Sequence, residues 1–105
     1  MSMFVRIWRY RVGAETREAF ERAYGPDEDW ARLFAKAGGF EATELLSACG
    51  GPNEGPLTYV TIDRWRARSD WESFVAEHGE EYRALDLRLE SLTLDEEDLG
   101  DYLGA

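Results

Sequence analysis

The sequence predicts one small α+β domain, and three observations support this class. The chain has 105 residues, the length of a single domain, so residues 1–105 are assigned to one unit. Apolar residues make up 44% of the chain and aromatic residues 13%, which is enough to form a core despite a net charge of −10. Segments with strand character also alternate with amphipathic helical segments.

The first strand is predicted over residues 3–12, a run rich in β-branched and aromatic residues without glycine or proline. Because side chains alternate across a strand, its two faces differ. The aliphatic face, with Val5 and Ile7, is expected to pack under helices. The second face is aromatic and partly polar, and it holds Phe4, Arg6, Trp8 and Tyr10.

Two helical segments and a second strand are predicted next. Residues 15–24 and 27–37 place apolar side chains at helical spacing, and each segment ends at glycines or a Gly-Pro pair. Residues 40–49 have strand character. Glycine and proline are so frequent in residues 50–56 that this segment is expected to be a loop.

The third strand, residues 57–66, repeats the asymmetry of the first. Its aliphatic face holds Thr58, Val60 and Ile62. The other face carries an acid among aromatic residues and is made of Tyr59, Thr61, Asp63 and Trp65.

A long helix is predicted to begin at a capping box in residues 69–72, since Ser69 and Glu72 can satisfy each other's free backbone donors. Its apolar stripe continues to Leu92 across Gly79, where a kink or break is expected. A second capping box in residues 93–96 predicts a short helical turn, and residues 99–103 a short last strand.

The resulting order of elements fits a ferredoxin-like βαββαβ antiparallel sheet with helices on one face. Such a sheet leaves its other face uncovered. If that face carried the aromatic side chains, it would expose a large apolar patch. Two such sheets packed face to face would close a barrel around an aromatic cavity, so the sequence predicts a homodimer.

Three segments resemble a known family in their order and spacing: FVRIW at residues 4–8, YVTIDRW at 59–65, and SDWESF at 69–74 followed by His78. They are similar to the antibiotic biosynthesis monooxygenase-like proteins of the dimeric α/β barrel superfamily, and the resemblance spans nearly the whole chain. It implies a ferredoxin-like fold, a homodimer and, as in characterised members, oxygenation of polycyclic phenols or quinol-like substrates without a cofactor.

Two features depart from that resemblance. The fourth strand of the family is a clear element, whereas here only residues 99–103 have strand character. Haem-degrading relatives share the tryptophan at the end of the third strand and the helical histidine, but they carry an asparagine on the first strand. Trp8 occupies that position here, which argues against haem chemistry.

Arg6, Asp63 and His78 are the candidate catalytic residues. Arg6 and Asp63 are expected on neighbouring parallel strands, facing the same cavity. Oxygenation without a cofactor needs the substrate as an anion, which Arg6 would stabilise while Asp63 or His78 accepts the proton. The alternative is a structural Arg6–Asp63 ion pair and a histidine packed among apolar side chains.

Four aromatic side chains are the candidate substrate-binding residues: Trp8, Tyr10, Tyr59 and Trp65. They would stack against a flat substrate, or they would only fill the space between two sheets. No cofactor is expected. No metal site is expected either, because one histidine and the single Cys49 supply few nitrogen or sulfur ligands.

Composition also limits the partners. A pI near 4.5 argues against binding to nucleic acid or to an anionic membrane surface, since both require clustered cations. The acidic segment 90–105 is expected to be solvated surface. Without an apolar run of about 20 residues, the protein is expected in the cytoplasm.

The sequence therefore predicts a cofactor-independent monooxygenase of phenolic or quinol-like small molecules, with its active site in the cavity of a homodimer. The first alternative is a non-catalytic dimeric protein that binds a small ligand or acts in a stress response. The second alternative is a haem-binding or haem-degrading protein.

Overall fold

The computed structural model describes residues 3–49 and 56–105, which form a four-stranded sheet and three α-helices. Most of the loop predicted at residues 50–56 lies outside the described residues. In chain order the elements are β1 (Phe4–Val12), α1 (Arg17–Tyr24), α2 (Asp29–Phe34), β2 (Phe40–Ser47), β3 (Leu57–Trp65), α3 (Arg68–Leu89) and β4 (Asp95–Leu103). Short 3-10 turns, Ala14–Thr16 and Glu90–Leu92, precede α1 and follow α3.

The sheet has the strand order β2-β3-β1-β4, and every neighbouring pair is antiparallel. This confirms the ferredoxin-like α+β fold that the element order predicts. No helix among the described residues is both long and apolar enough to cross a membrane.

The helices cover the aromatic face of the sheet, so the predicted orientation of the two faces is wrong. Phe4 and Trp65 are 2% and 0% exposed, and the Trp65 ring contacts the helical rings of Phe34 and Phe74 at 5.6 Å between centroids. The physical reason is that the inner stripes of the helices are themselves aromatic. Packing these helical rings against the aromatic face of the sheet buries about 150–250 Å² of surface per aromatic side chain. Val5 and the other aliphatic side chains would bury less.

The uncovered face of the sheet is the aliphatic one. Val5, Ile7, Val60 and Ile62 are half-buried there. Leu46 and Tyr102 are 46% and 53% exposed. These six residues define the open face of the sheet.

The acidic end of the chain is a full strand, β4, and the helical turn predicted at residues 93–96 is absent. Aspartate and glutamate disfavour strands, so β4 depends on its neighbour β1. Backbone N–H groups of Leu94 and Gly104 donate to carbonyls of β1 or its flank at 2.8 Å. Three arginines of β1 also pair with carboxylates of β4, in the pairs Arg6–Asp101, Arg9–Glu97 and Arg11–Asp95.

A bulge interrupts the β1–β4 pairing between Ile7 and Trp8. On β4, Gly100 has a φ of 107°, a left-handed conformation that side chains other than glycine rarely adopt. Because Ile7 pairs with Gly100 and Trp8 with Asp98, β4 has one extra residue, Leu99, at the bulge.

Helix α3 is bent at His78, whose φ of −122° and ψ of 19° are not helical. The kink predicted at Gly79 is therefore confirmed, one residue earlier. The capping box predicted at residues 69–72 is not formed, because the helix begins at Arg68 without a side-chain cap.

Candidate functional site

A cavity lies between the aromatic face of the sheet and the helices, within a single chain. It is not the predicted cavity between two sheets, which would need a second chain and stays a prediction. The aromatic face of the sheet, expected to line that cavity, lines this one instead. All four strands and all three helices contribute to its wall. The lining residues are Arg6, Trp8, Tyr10, Tyr24, Trp30, Phe34, Thr43, Thr61, Asp63, Tyr82, Asp86 and Glu96.

The cavity is narrow inside and wide at its opening. Its volume is about 540 Å³ when the opening to solvent is included, but the room left for small molecules inside is about 60 Å³. Roughly four to six waters fit such a space at about 10–15 Å³ each. A fused aromatic ring system enters only if lining side chains shift.

Arg6 on β1 and Asp63 on β3 lie directly opposite each other on neighbouring strands, and both line the cavity. The predicted parallel arrangement is wrong, because β1 and β3 run antiparallel and their register pairs Arg6 directly with Asp63. The two side chains do not form an ion pair. Instead, Arg6 Nε lies 3.1 Å from Asp101 Oδ1, and its guanidinium stacks 4.1 Å from the centre of the Trp71 ring.

Asp63 is a buried carboxyl group with one hydrogen bond. The hydroxyl of Thr43, on β2, donates to Asp63 Oδ1 at 2.6 Å. Burial raises the pKa of Asp63 from 3.8 to about 6, while the Thr43 hydrogen bond and the Arg6 charge pull it down in part. A carboxylate with a raised pKa is a stronger base than an exposed one and still ionises near neutral pH.

Arg6 stays cationic beside it. Burial lowers the pKa of Arg6, but Tyr82 and Asp101 more than offset this, so the net shift is upward. The pKa of Tyr82 is raised mainly by its own burial, and Arg6 opposes that shift. The cavity is therefore lined by the cationic Arg6, the neutral phenol of Tyr82 and the basic carboxylate of Asp63.

Two further rings complete the inner wall. Burial raises the pKa of Tyr24 to about 12, which keeps its hydroxyl neutral. The indole Nε1–H of Trp30 is buried and has no hydrogen-bond acceptor of acceptable geometry among the described residues. A buried donor without a partner is costly, and a water or a ligand oxygen in the cavity would satisfy it.

The structure brings four of the seven candidate residues into the cavity, namely Arg6, Trp8, Tyr10 and Asp63. The other three lie elsewhere. Tyr59 donates its hydroxyl to Glu21 at 2.5 Å, and Trp65 is fully buried in the core. His78 lies outside the lining, with its Nδ1 2.7 Å from Glu81 Oε1 and its ring stacked on Phe74.

Sequence reasoning missed several lining residues. Thr43 lies on β2, whose alternation of apolar and polar residues is weak. Tyr82 lies within the apolar stripe predicted for the long helix, where nothing in the sequence sets it apart from core residues. Glu96 lies in the acidic segment 90–105, which is expected to be solvated surface, and Asp86 lies in the long helix outside its apolar stripe. Only the register between β3 and its neighbours would have shown Thr43, since it pairs directly with Asp63.

The side chains of the site do not suggest a metal centre. Within residues 3–49 and 56–105, no group of three or more His, Cys, Asp or Glu side chains is placed to hold a metal ion.

No protein-family model and no curated protein matches the chain. Solved structures do match it. A mutant of SnoaB, a cofactor-independent oxygenase from Streptomyces nogalater, is 22% identical at a TM-score of 0.66, over 95% of this chain and 90% of that one. A proposed antibiotic biosynthesis monooxygenase from Nitrosomonas europaea is 16% identical at a TM-score of 0.68, over 97% and 89%. A NIPSNAP family protein from Agrobacterium tumefaciens is 16% identical at a TM-score of 0.61, over 98% and 91%.

These likenesses assign the chain to a class of small α+β proteins with one antiparallel sheet and helices on one face. Within that class, it has the fold of the antibiotic biosynthesis monooxygenase-like proteins, as its sequence resemblance predicted. At these identities the likeness is one of fold, and activity must be argued from the site.

The buried Asp63 predicts an unusual dependence of stability on pH. Between about pH 4 and pH 6 the folded chain keeps this carboxyl protonated while the unfolded chain ionises it, so the free energy of unfolding falls as pH rises. Asp63→Asn removes the ionisable group. We expect it to be more stable than wild type by up to roughly 3 kcal/mol at pH 7.5, and no more stable at pH 4.

Urea unfolding followed by tryptophan fluorescence at several pH values measures this difference. Asp27→Asn, at an exposed position outside the cavity, is the matched control and should follow wild type. If Asp63→Asn and wild type lose stability in parallel from pH 4 to pH 7.5, Asp63 is not buried as described.

Proposed function

We propose that the protein is a cofactor-independent monooxygenase of a phenolic or quinol-like aromatic molecule, which reacts in the cavity between the sheet and the helices of each chain. One observation supports this above all: a buried carboxylate of raised basicity lies beside a cation in a cavity walled by aromatic rings. Buried acids cost stability, so their presence in a cavity is typical of catalytic sites.

The chemistry begins with proton removal. Asp63 accepts a proton from the substrate, and the positive charge of Arg6 stabilises the resulting anion. The anion passes one electron to O2, and the substrate radical then combines with superoxide to form a carbon–oxygen bond. Asp63 returns its proton to the resulting peroxide anion, which gives the hydroperoxide and restores the carboxylate. Loss of water from the hydroperoxide leaves a carbonyl where the carbon carried two hydrogens, so one oxygen atom enters the product and the other leaves as water.

Aromatic walls orient the substrate for this reaction. Trp8 and Tyr10 stack on each other at 6.4 Å between ring centroids and form one side of the cavity. Tyr82 lies opposite, on the part of α3 that follows the bend. Because the interior is small, we propose that Trp8 and Tyr82, which are half-buried, move outward when a ring enters.

The proposal predicts oxygen uptake with anthrone-like phenols, and a loss of rate when the base is removed. Asp63→Asn should lower kcat by about 100-fold to 10,000-fold, the usual contribution of a general base. Arg6→Ala should lower the rate as well, while Asp27→Asn should retain it. An oxygen electrode together with product absorbance measures the effect.

Two outcomes would contradict this assignment. Absence of oxygen uptake by wild type across such a panel would favour the alternative of a non-catalytic protein that binds a small ligand, which the narrow interior also favours. Loss of activity in His78→Gln but not in Asp63→Asn would place the base outside the cavity.

We also propose that the protein is a homodimer in which the open face of the sheet packs against its copy. The six residues of the open face are bordered on the same side of the sheet by three ion pairs, Arg9–Glu97, Arg11–Asp95 and Arg64–Glu44. An apolar centre with a polar rim is typical of interfaces. Closing it would remove Leu46 and Tyr102 from water, and their exposed apolar surface would add to the stability of the dimer.

Light scattering at micromolar concentration tests the dimer. We expect wild type at twice the chain mass of 12.0 kDa. Ile62→Asp should be at the chain mass, because Ile62 pairs with Ile7 and Glu44 on the neighbouring strands, so a charge buried there has no basic partner opposite it and is costly. Leu87→Asp makes the same change at an exposed position of α3 and should remain dimeric. A monomeric wild type would contradict the proposal.

A further inference from the structure

The cavity contains more negative charge than the proposed reaction needs. Asp63, Asp86 and Glu96 all line it, and none of the three forms an ion pair with any arginine, lysine or histidine among the described residues. The cation that lines the cavity, Arg6, is paired with Asp101 at 3.1 Å. The space therefore has a net negative charge.

Asp86 and Glu96 are exposed side chains that line the cavity where it opens to solvent, and they come from two different elements. Asp86 lies four residues after Tyr82 on α3, so it shares the side of the helix that faces the sheet. Glu96 lies on β4 opposite Tyr10. Burial raises the pKa of Glu96, and the charge of Asp86 raises it further, so the two carboxylates lie close enough to repel each other.

Aromatic rings stand beside these carboxylates. Trp8, Tyr24 and Trp30 line the same space, and the faces of such rings attract ammonium groups. The buried Nε1–H of Trp30 lies near the Tyr24 hydroxyl but makes no hydrogen bond of acceptable geometry with it, so it can donate to an oxygen of a ligand. The two carboxylates, the faces of the rings and the Trp30 donor together suit a molecule with an ammonium group at one end and an oxygen substituent on an aromatic ring at the other.

We propose that the cavity selects aromatic ligands that carry a protonated amine substituent, and that Asp86 and Glu96 determine this specificity. The ammonium group lies between the two carboxylates at the opening, and the ring points inward toward Trp30. A carboxylated ligand of the same shape is rejected by charge. This selectivity adds a ligand class to the proposed function, and it rests on that function only for the position of the ring in the cavity.

Three probes of matched shape test the selection: 2-naphthol, its 6-aminomethyl derivative and its 6-carboxylate. Binding is measured by quenching of tryptophan fluorescence without oxygen, so that no turnover is involved. We expect the ammonium probe to bind at least about tenfold more tightly than the carboxylate, a ratio within the reach of two nearby charges. The ratio should shrink as salt is added.

Asp86→Asn/Glu96→Gln should bring that ratio near unity while changing the affinity for 2-naphthol less than about twofold. Asp27→Asn/Glu77→Gln makes the same change in net charge at two exposed positions outside the cavity, and it should keep the preference. Circular dichroism checks folding, and Asp86→Asn alone serves if the double variant does not fold. It should reduce the ratio in part.

Equal affinities, tighter binding of the carboxylate, or no saturable binding of any probe would overturn the inference. So would a preference that survives Asp86→Asn/Glu96→Gln. A clear preference without oxygen uptake by any phenol would keep the inference and remove the oxygenase. Oxygen uptake without a preference would do the reverse.

Discussion

The packing of aromatic helices against the aromatic face of the sheet is the interaction on which the rest of the structure depends. Trp65 is its centre, fully buried among rings from α2, β2 and α3. This contact decides which face of the sheet is covered. It therefore places Arg6 and Asp63 inside the chain, and it leaves the aliphatic side chains of β1 and β3 on the open face.

The same packing makes the site chemically unusual and costly. Rings exclude water around Asp63, so its carboxyl becomes more basic, while Thr43 supplies only one hydrogen bond. A fold that needed only stability would place a neutral residue there. Acidic residues of β4 and α3 add repulsion at the opening, and the pairing of Arg6 with Asp101 holds the acidic strand in place.

The alternation of side chains on β1 and β3 predicted both strands, their aromatic faces and the presence of Arg6 and Asp63 on one side. It could not predict which face packs against the helices, because both faces carry apolar side chains. Alternation separates the two faces of a strand but does not say which of them the helices cover. The strand β4 was largely missed since its acidic composition disfavours strands, and its partners are arginines more than 80 residues away. Asp86 and Glu96 were missed for a related reason, because only the folded chain brings their elements together.

The central claim is that the functional cavity lies within one chain, between the sheet and the helices. A crystal structure of the protein soaked with 2-naphthol tests it most directly. We expect density for the ring between Trp8 and Tyr82, with its oxygen within hydrogen-bond distance of Asp63 or Trp30. Density for the ring between two sheets, against Val60 and Ile62, with the interior cavity unchanged, would contradict it.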